Sequence, residues 1–181
     1  MADRGLTGIL LVGGASTRFG SAKATARLRG RTLGELTWET LAFCDERIAV
    51  GKASDELELP FPVLDDESDV RAPLAGLVAG LRAARHQLCV VLPVDAPLVT
   101  PGALQRLAEA CADAAVPQTG PLPGAYRKNA LPVLERALAA GRLSIRAAIA
   151  PLSVRRVELD DALLANVNTP DDLRRLHVSA D

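Results

Sequence analysis

Four stretches of this chain hold residues whose types and spacing can do chemistry. The first is Leu11-Val12-Gly13-Gly14-Ala15-Ser16-Thr17-Arg18-Phe19-Gly20-Ser21-Ala22-Lys23. Two adjacent glycines let the backbone turn and approach a ligand closely. Successive backbone N–H groups in such a turn cradle an anion, and Arg18 and Lys23 add positive charge that suits a polyphosphate. The stretch has neither the Gly-Lys-Ser/Thr of a Walker loop nor a Gly-x-Gly-x-x-Gly, so a P-loop kinase and a dinucleotide-dependent dehydrogenase both lose support. Local composition alone leaves a flexible Gly/Ser loop open as the competing reading.

The second stretch, Val90-Val91-Leu92-Pro93-Val94-Asp95-Ala96-Pro97, ends the most apolar run of the chain on an aspartate. In open α/β sheets, ligands bind outside the carboxyl ends of the strands, where the strand order reverses. A carboxylate there can hold Mg²⁺, with phosphate oxygens and waters completing the shell; it can also simply form a turn. In the third, Asn166-Val167-Asn168-Thr169-Pro170, two of the three asparagines stand two residues apart. An extended backbone puts both amides on one face, where they can orient a phosphate or a hydroxyl. A strand end feeding a capped helix explains the same residues. The fourth, Ala72-Pro73-Leu74-Ala75-Gly76-Leu77, is small enough to press a helix start against a ligand or, more simply, against a sheet.

Other reactive types read as structure. His86 and His177 are isolated and read as surface groups, Trp38 and Phe43 as core, Asp65 to Asp69 as a solvated loop, and Arg155-Arg156 as strand-edge charge. No Ser/His/Asp or Cys/His arrangement has a workable spacing.

The elements that must position these residues alternate. Apolar runs predict strands over Leu6 to Val12, Arg47 to Val50, Phe61 to Leu64 and Leu88 to Val94. Weaker strands are expected over Ala115 to Thr119 and Val154 to Leu159. Helical spacing covers Leu33 to Cys44, Leu74 to His86, Pro101 to Ala112, Ala130 to Ala140 and Ser144 to Ile149, and a last helix opens at Thr169-Pro170-Asp171-Asp172. Gly120 to Arg127, with two prolines and two glycines, is expected to be irregular or a sheet edge. Strand–helix alternation with doubly buried strands predicts an α/β fold, a mostly parallel sheet with helices on both faces.

At 181 residues the chain makes about one domain, and 49% hydrophobic residues suffice for a core. A net charge of −1 argues against a whole-surface nucleic-acid or anionic-membrane binder. No apolar run reaches the roughly 18 residues of a membrane span, and no secretory leader is expected. Cys44, Cys89 and Cys111 are odd in number and far apart, as free thiols of a reducing cytoplasm would be. Only Lys23, Lys52 and Lys128 are lysines, against eighteen arginines, so a lysine here is not the default surface cation.

Taken together, the four stretches resemble the molybdenum cofactor guanylyltransferases, in the family's order and over nearly the whole chain. The family opens on Leu-Ala-Gly-Gly-x-Ser-x-Arg-Met-Gly-x-Asp-Lys, against Leu11 to Lys23 here. Its Gly-Pro-Leu-Ala-Gly is similar to Ala72 to Gly76, its Pro-Cys-Asp-Met-Pro to Pro93 to Pro97, and its Asn-x-Asn-Thr-Pro-x-Asp/Glu-Leu to Asn166 to Leu173. The chain departs from the pattern at Phe19, Ala22, Ala72 and Val94. It also has Gly51-Lys52 where the family often has an asparagine after its second strand.

The resemblance implies one Rossmann-like nucleotidyltransferase domain over residues 1–181, using GTP and Mg²⁺. It implies nucleotide contacts from Leu11, Val12, Gly13, Gly14 and Lys23, metal binding by Asp95, and a family carboxylate that falls on Asp66 or, shifted by one, Asp65. Glycine at position 13 fits the guanine-using branch, since related cytidylyltransferases tend to read Leu-Ala-Ala-Gly. The implied reaction moves GMP from GTP to the terminal phosphate of molybdopterin. Lys23, Asp95 and Arg18 then do the catalysis, and Asn166 and Asn168 seat the cofactor phosphate or metal. Other cofactor-biosynthesis proteins and molybdoenzymes are the implied partners; nucleic acid and membrane are not. Two rivals stay in view: another nucleotidyltransferase (cytidylyl-, sugar-phosphate or phospholactate) and a nucleotide-binding module without turnover.

Overall fold

A computed structural model describes residues 5–13 and 23–178. Its strands are β1 (Leu6–Leu11), β2 (Arg27–Leu28), β3 (Arg31–Thr32), β4 (Glu46–Gly51), β5 (Val63–Asp65), β6 (Leu88–Pro93), β7 (Ala114–Pro117), β8 (Gly124–Arg127) and β9 (Val154–Val157). Its helices are α1 (Leu33–Thr40), α2 (Pro73–Ala83), α3 (Pro101–Ala110), α4 (Leu131–Ala139), α5 (Ile145–Ala148) and α6 (Pro170–Val178).

Seven strands form one sheet in the order β5-β4-β1-β6-β8-β7-β9. Only β8 runs antiparallel to its neighbours, β6 and β7, so the mostly parallel sheet expected from the apolar runs is present. Alternation along β1 divides the core. Leu10 and Val12 join a cluster with Leu33 and Leu41 of the α1 region and Leu104 and Leu107 of α3. Ile9 and Leu11 face a second cluster with Leu74, Leu77 and Leu81 of α2 and Leu134 of α4. Helices therefore cover both faces, and β1, buried on both, has no reason to alternate in polarity. Trp38 and Phe43 pack against the first cluster. The Trp38 ring stacks on Phe61 with centroids 4.3 Å apart, and the Arg47 guanidinium lies over it.

Local chemistry sets where the helices begin. Thr32 caps α1 in a reciprocal capping box with Glu35, Thr100 caps α3 ahead of Pro101, and Ser144 caps α5. Each side-chain oxygen takes a backbone N–H that the first helical turn leaves unpaired.

Two expectations need correction. Gly120 to Arg127 is neither irregular throughout nor an edge: β8 lies inside the sheet and pairs Val90 with Ala125 and Cys89 with Tyr126. The prolines at 121 and 123 precede the first ladder residue, so they remove no sheet hydrogen bond. Glycine at 124 is obligatory, because a Cβ there would sit 2.7 Å from the Pro121 carbonyl oxygen. The fully buried Tyr126 donates its hydroxyl to that same carbonyl at 2.6 Å. Secondly, the carboxylates of 65–69 are not uniformly solvated, since Asp66 is buried in an ion pair. One element went unread: β2 and β3 form a tight hairpin whose turn has positive φ at both Arg29 and Gly30, the geometry that matches strand twist.

Candidate functional site

The strand order reverses between β1 and β6: the chain leaves β1 toward β4 and β5, then returns to β6 on the other side. Leu11 pairs with Pro93, and the Val94 N–H donates to the Leu11 carbonyl at 3.0 Å. Two residues beyond that pair on each strand stand Gly13 and Asp95. The register therefore delivers Gly13 and the carboxylate to one level, at the carboxyl end of the sheet, where open α/β sheets bind ligands.

Lys23 closes this site from the far end of its loop. Its ammonium lies 3.2 Å from the Asp95 carboxylate and donates to the Asn168 amide oxygen at 2.9 Å. Both side chains of the ion pair keep partial access to solvent, at 18% and 25%. The segment carrying Asn168 is pinned by a 2.7 Å bond from the Val167 N–H to the Asp95 carbonyl. The Asp172 carboxylate then accepts from the N–H groups of Asn168 and Thr169, and these bonds hold its carboxyl below the usual range. Three side chains far apart in sequence thus gather one ammonium and two oxygen donors. Carboxylate and amide oxygens already arranged around a cation are the donor chemistry that a hard divalent ion takes, with substrate phosphates filling the remaining positions. Among the described residues no group of three or more His, Cys, Asp and Glu could hold a metal by itself.

On the other side of β1, between β1, β4 and the start of α2, opens a cleft of about 590 Å³ including its open mouth. Leu11, Val50 and Pro73 give it apolar walls, Gly13 lies at its edge, and Lys52 and Asp66 line it as well. Lys52 Nζ lies 2.6 Å from Asp66 Oδ1. A Cβ on Gly13 would sit 3.2 Å from the Gly51 Cα, a tight contact that glycine avoids where the chain passes the end of β4.

The sequence-predicted residues sort accordingly. Lys23, Asp95 and Asn168 meet; Leu11, Gly13 and Asp66 border the cleft. Val12 is buried, and its N–H donates to Val50. Asp65 is exposed and accepts from the Glu67 N–H, so of the two alternatives for the cleft carboxylate Asp66 is the one in place. Asn166 and Asn168 are both exposed on either side of the buried Val167, and of the two amides it is that of Asn168 that bonds Lys23. Gly14 and Arg18 lie outside the described residues. Sequence reasoning missed Lys52 and Arg71 as cleft residues; the rarity of lysine, and its place where the family often has an asparagine, were the signals for Lys52.

Comparison with known proteins agrees with this fold. The sequence profile of the MobA-like NTP transferase domain family matches residues 8–157. A Chloroflexus aggregans protein named probable molybdenum cofactor guanylyltransferase is 31% identical over 191 residues, covering 93% of this chain and 92% of the relative. A Desulfosudis oleivorans molybdenum cofactor guanylyltransferase is 31% identical and covers 94% and 93%. The crystal structure of molybdopterin-guanine dinucleotide biosynthesis protein A from Archaeoglobus fulgidus superposes with a TM-score of 0.81 at 29% identity, over 94% of this chain and 96% of that one. A Thermus thermophilus cytidylyltransferase shares the fold, with a TM-score of 0.75 at 21% identity over 95% and 97% of the two chains. With its profile matched over most of its length, and relatives alike from end to end, the chain belongs to the MobA-like NTP transferase domain family.

Proposed function

We propose that this chain transfers GMP from GTP to the terminal phosphate of molybdopterin, releasing pyrophosphate and forming the guanine dinucleotide cofactor. The observation that carries the reading is the convergence of Lys23, Asp95 and Asn168 where the strand order reverses, beside a cleft lined by Gly13 and Asp66. Relatives named for guanylyl transfer to the molybdenum cofactor support the substrate assignment.

The reaction joins two anions. A phosphate monoester has a second pKa of about 6, so the acceptor oxygen is already an anion near neutral pH and needs no strong general base. It attacks the α-phosphorus of GTP. A new P–O bond forms, the bond from the α-phosphorus to the bridging oxygen breaks, and pyrophosphate leaves with the electron pair. Lys23 supplies positive charge to the triphosphate and to the leaving group, and the amides of the Gly13 turn hold phosphate oxygens. Asp95, helped by the Asn168 amide oxygen, is the residue to hold Mg²⁺, whose charge lowers the cost of bringing the two anions together. The cleft seats the nucleoside, which fixes the α-phosphorus for attack.

The test is pyrophosphate release with molybdopterin and each of GTP, CTP, UTP and ATP in Mg²⁺ buffer. The reading expects turnover with GTP above the others. A preference for CTP assigns the chain to another nucleotidyltransferase activity, and nucleotide binding without pyrophosphate release makes it a binding module.

A further inference from the structure

Asn168 meets Lys23 from an exposed position. An exposed amide has no packed neighbours to hold its direction, so the placing of its backbone decides whether its oxygen reaches the ammonium. Three successive N–H groups hold that backbone. Val167 donates to the Asp95 carbonyl at 2.7 Å, and Asn168 and Thr169 donate to one oxygen, Asp172 Oδ2, at 3.0 and 2.9 Å.

Helix capping explains only part of this. In a capping box, the third helical residue returns its side chain to the N–H of the capping residue, whose own side chain takes the N–H of the third. The box of α1 shows the plain form. Glu35 Oε2 accepts from the N–H and the hydroxyl of Thr32, and Thr32 Oγ1 accepts from the Glu35 N–H. The start of α6 repeats that reciprocity, with Thr169 N–H on Asp172 Oδ2 and Asp172 N–H on Thr169 Oγ1 at 3.1 Å. It then adds one bond, from the Asn168 N–H, which lies outside the helix and which the cap does not need. The other carboxylate oxygen, Oδ1, faces Arg175 at 3.9 Å, so Oδ2 is left to the two backbone donors.

We propose that Asp172 is a positioning residue: it holds Asn168 where the amide oxygen accepts from Lys23, and so sets the direction of that ammonium. Its effect on rate rests on the guanylyltransferase reading above, whereas the contact belongs to the free protein. Asp172 acts through Asn168 and not on the nucleotide itself. Without the carboxylate, the Asn168 and Thr169 N–H groups turn to water and the segment keeps only the Val167 bond. Lys23 is then held by Asp95 alone, and a cation held from one side loses the preorganised direction that charge stabilisation needs.

The chain has only three lysines, so NMR of isotope-labelled lysine resolves each ammonium in the ligand-free protein, and Lys23→Arg identifies the Lys23 signal. Asp172→Ala should shift that signal and leave those of Lys52 and Lys128 in place. With GTP, molybdopterin and Mg²⁺, its kcat should fall about tenfold, the scale of removing a group that orients a ligating side chain. Asp172→Asn loses the charge but keeps an acceptor oxygen; it should retain the Lys23 signal and most of the wild-type kcat. Thr169→Ala loses the hydroxyl half of the cap and keeps the Asn168 bond, so its melting temperature should fall while its kcat stays near wild type.

A folded Asp172→Ala protein with the Lys23 signal unmoved, or with the signal moved and kcat unchanged, overturns the proposal. So does an Asp172→Asn protein that behaves like Asp172→Ala, which assigns the effect to charge. A Thr169→Ala protein that loses as much kcat as Asp172→Ala overturns it too, since plain helix capping would give that. If Asp172→Ala does not fold, Asp172→Ser, which keeps a polar group in the first turn without the carboxylate, is read in its place. A wild-type protein that does not turn over GTP overturns the guanylyltransferase reading instead, and the Lys23 signal of the ligand-free protein still decides the contact.

Discussion

All three lysines of this arginine-rich chain are held by specific partners: Lys23 by Asp95 and Asn168, Lys52 by Asp66 and the Ser68 carbonyl, and Lys128 by the Ala84 carbonyl. Two of them stand at the mouth of the site. The Asp95 side chain is partly exposed, so removing it should cost activity far more than fold. Asp95→Ala is expected to lower GTP turnover below detection while the melting temperature stays within a few degrees of wild type. Lys23→Ala should lower kcat by about 10²-fold or more, the scale of removing one charge-stabilising group from a transition state. Unchanged turnover in either variant removes that residue from the mechanism. That Lys23 and Asp95 share one site was legible because each closes a stretch that follows a doubly buried apolar strand, at the end of the sheet where ligands bind. Which of the two amides, Asn166 or Asn168, meets Lys23 was not, since periodicity gives a shared face but not the reach of each side chain.

At the scale of elements, Gly13 lies against the end of β4. Gly13→Val puts a branched side chain where even a Cβ is 3.2 Å from the Gly51 Cα, and backbone cannot move aside as a flexible side chain can. GTP affinity should fall about tenfold or more, read by calorimetry, because the backbone at Gly13 must shift at the cleft edge. Thr32→Ala removes a capping box and should cost about 1 kcal/mol, a fall in melting temperature of about 2–4 °C. Most of this layer was legible: the apolar runs that became β1, β4 and β6 are buried on both faces, and proline or threonine marks the helix starts. β8 was not, because its glycine and flanking prolines spell a turn until Tyr126 and the Pro121 carbonyl show what they pack against. The β2–β3 hairpin was missed because two-residue strands carry no periodicity.

Across the whole molecule, carboxylates bonded to backbone tie distant segments together. Burial raises the Glu46 carboxyl, but bonds from the Arg85 N–H, the Thr7 hydroxyl and the Arg85 guanidinium outweigh it and hold the group below its ordinary 4.5. The Ser153 N–H and Asn129 amide do the same for Asp113, below its ordinary 3.8. A carboxyl lowered by folding adds stability above its unfolded pKa and loses it as pH falls through the folded value. Urea midpoints should therefore stay level from neutral pH down to about 5 and drop below about 4.5. Glu46→Gln should show a shallower acid drop; an identical slope would contradict the assignment. The thiols behave oppositely. Burial pushes Cys89 and Cys44 up to about 12 and Cys111 to about 11, so thiol reagents should label the native protein slowly and the urea-unfolded protein fast.

The site itself is a product of the whole sheet, since the reversal between β1 and β6 is what brings the chain after Leu11 and the chain after Pro93 to one end of the sheet. The crystal structure of this protein soaked with GTP and Mn²⁺ tests that directly, because anomalous scattering locates the metal independently of the nucleotide. The predicted result is metal density against the Asp95 carboxylate and the triphosphate, with Lys23 on phosphate oxygens and the guanine beside Asp66. A triphosphate bound away from Lys23, or metal density with Asp95 outside its coordination sphere, would contradict it.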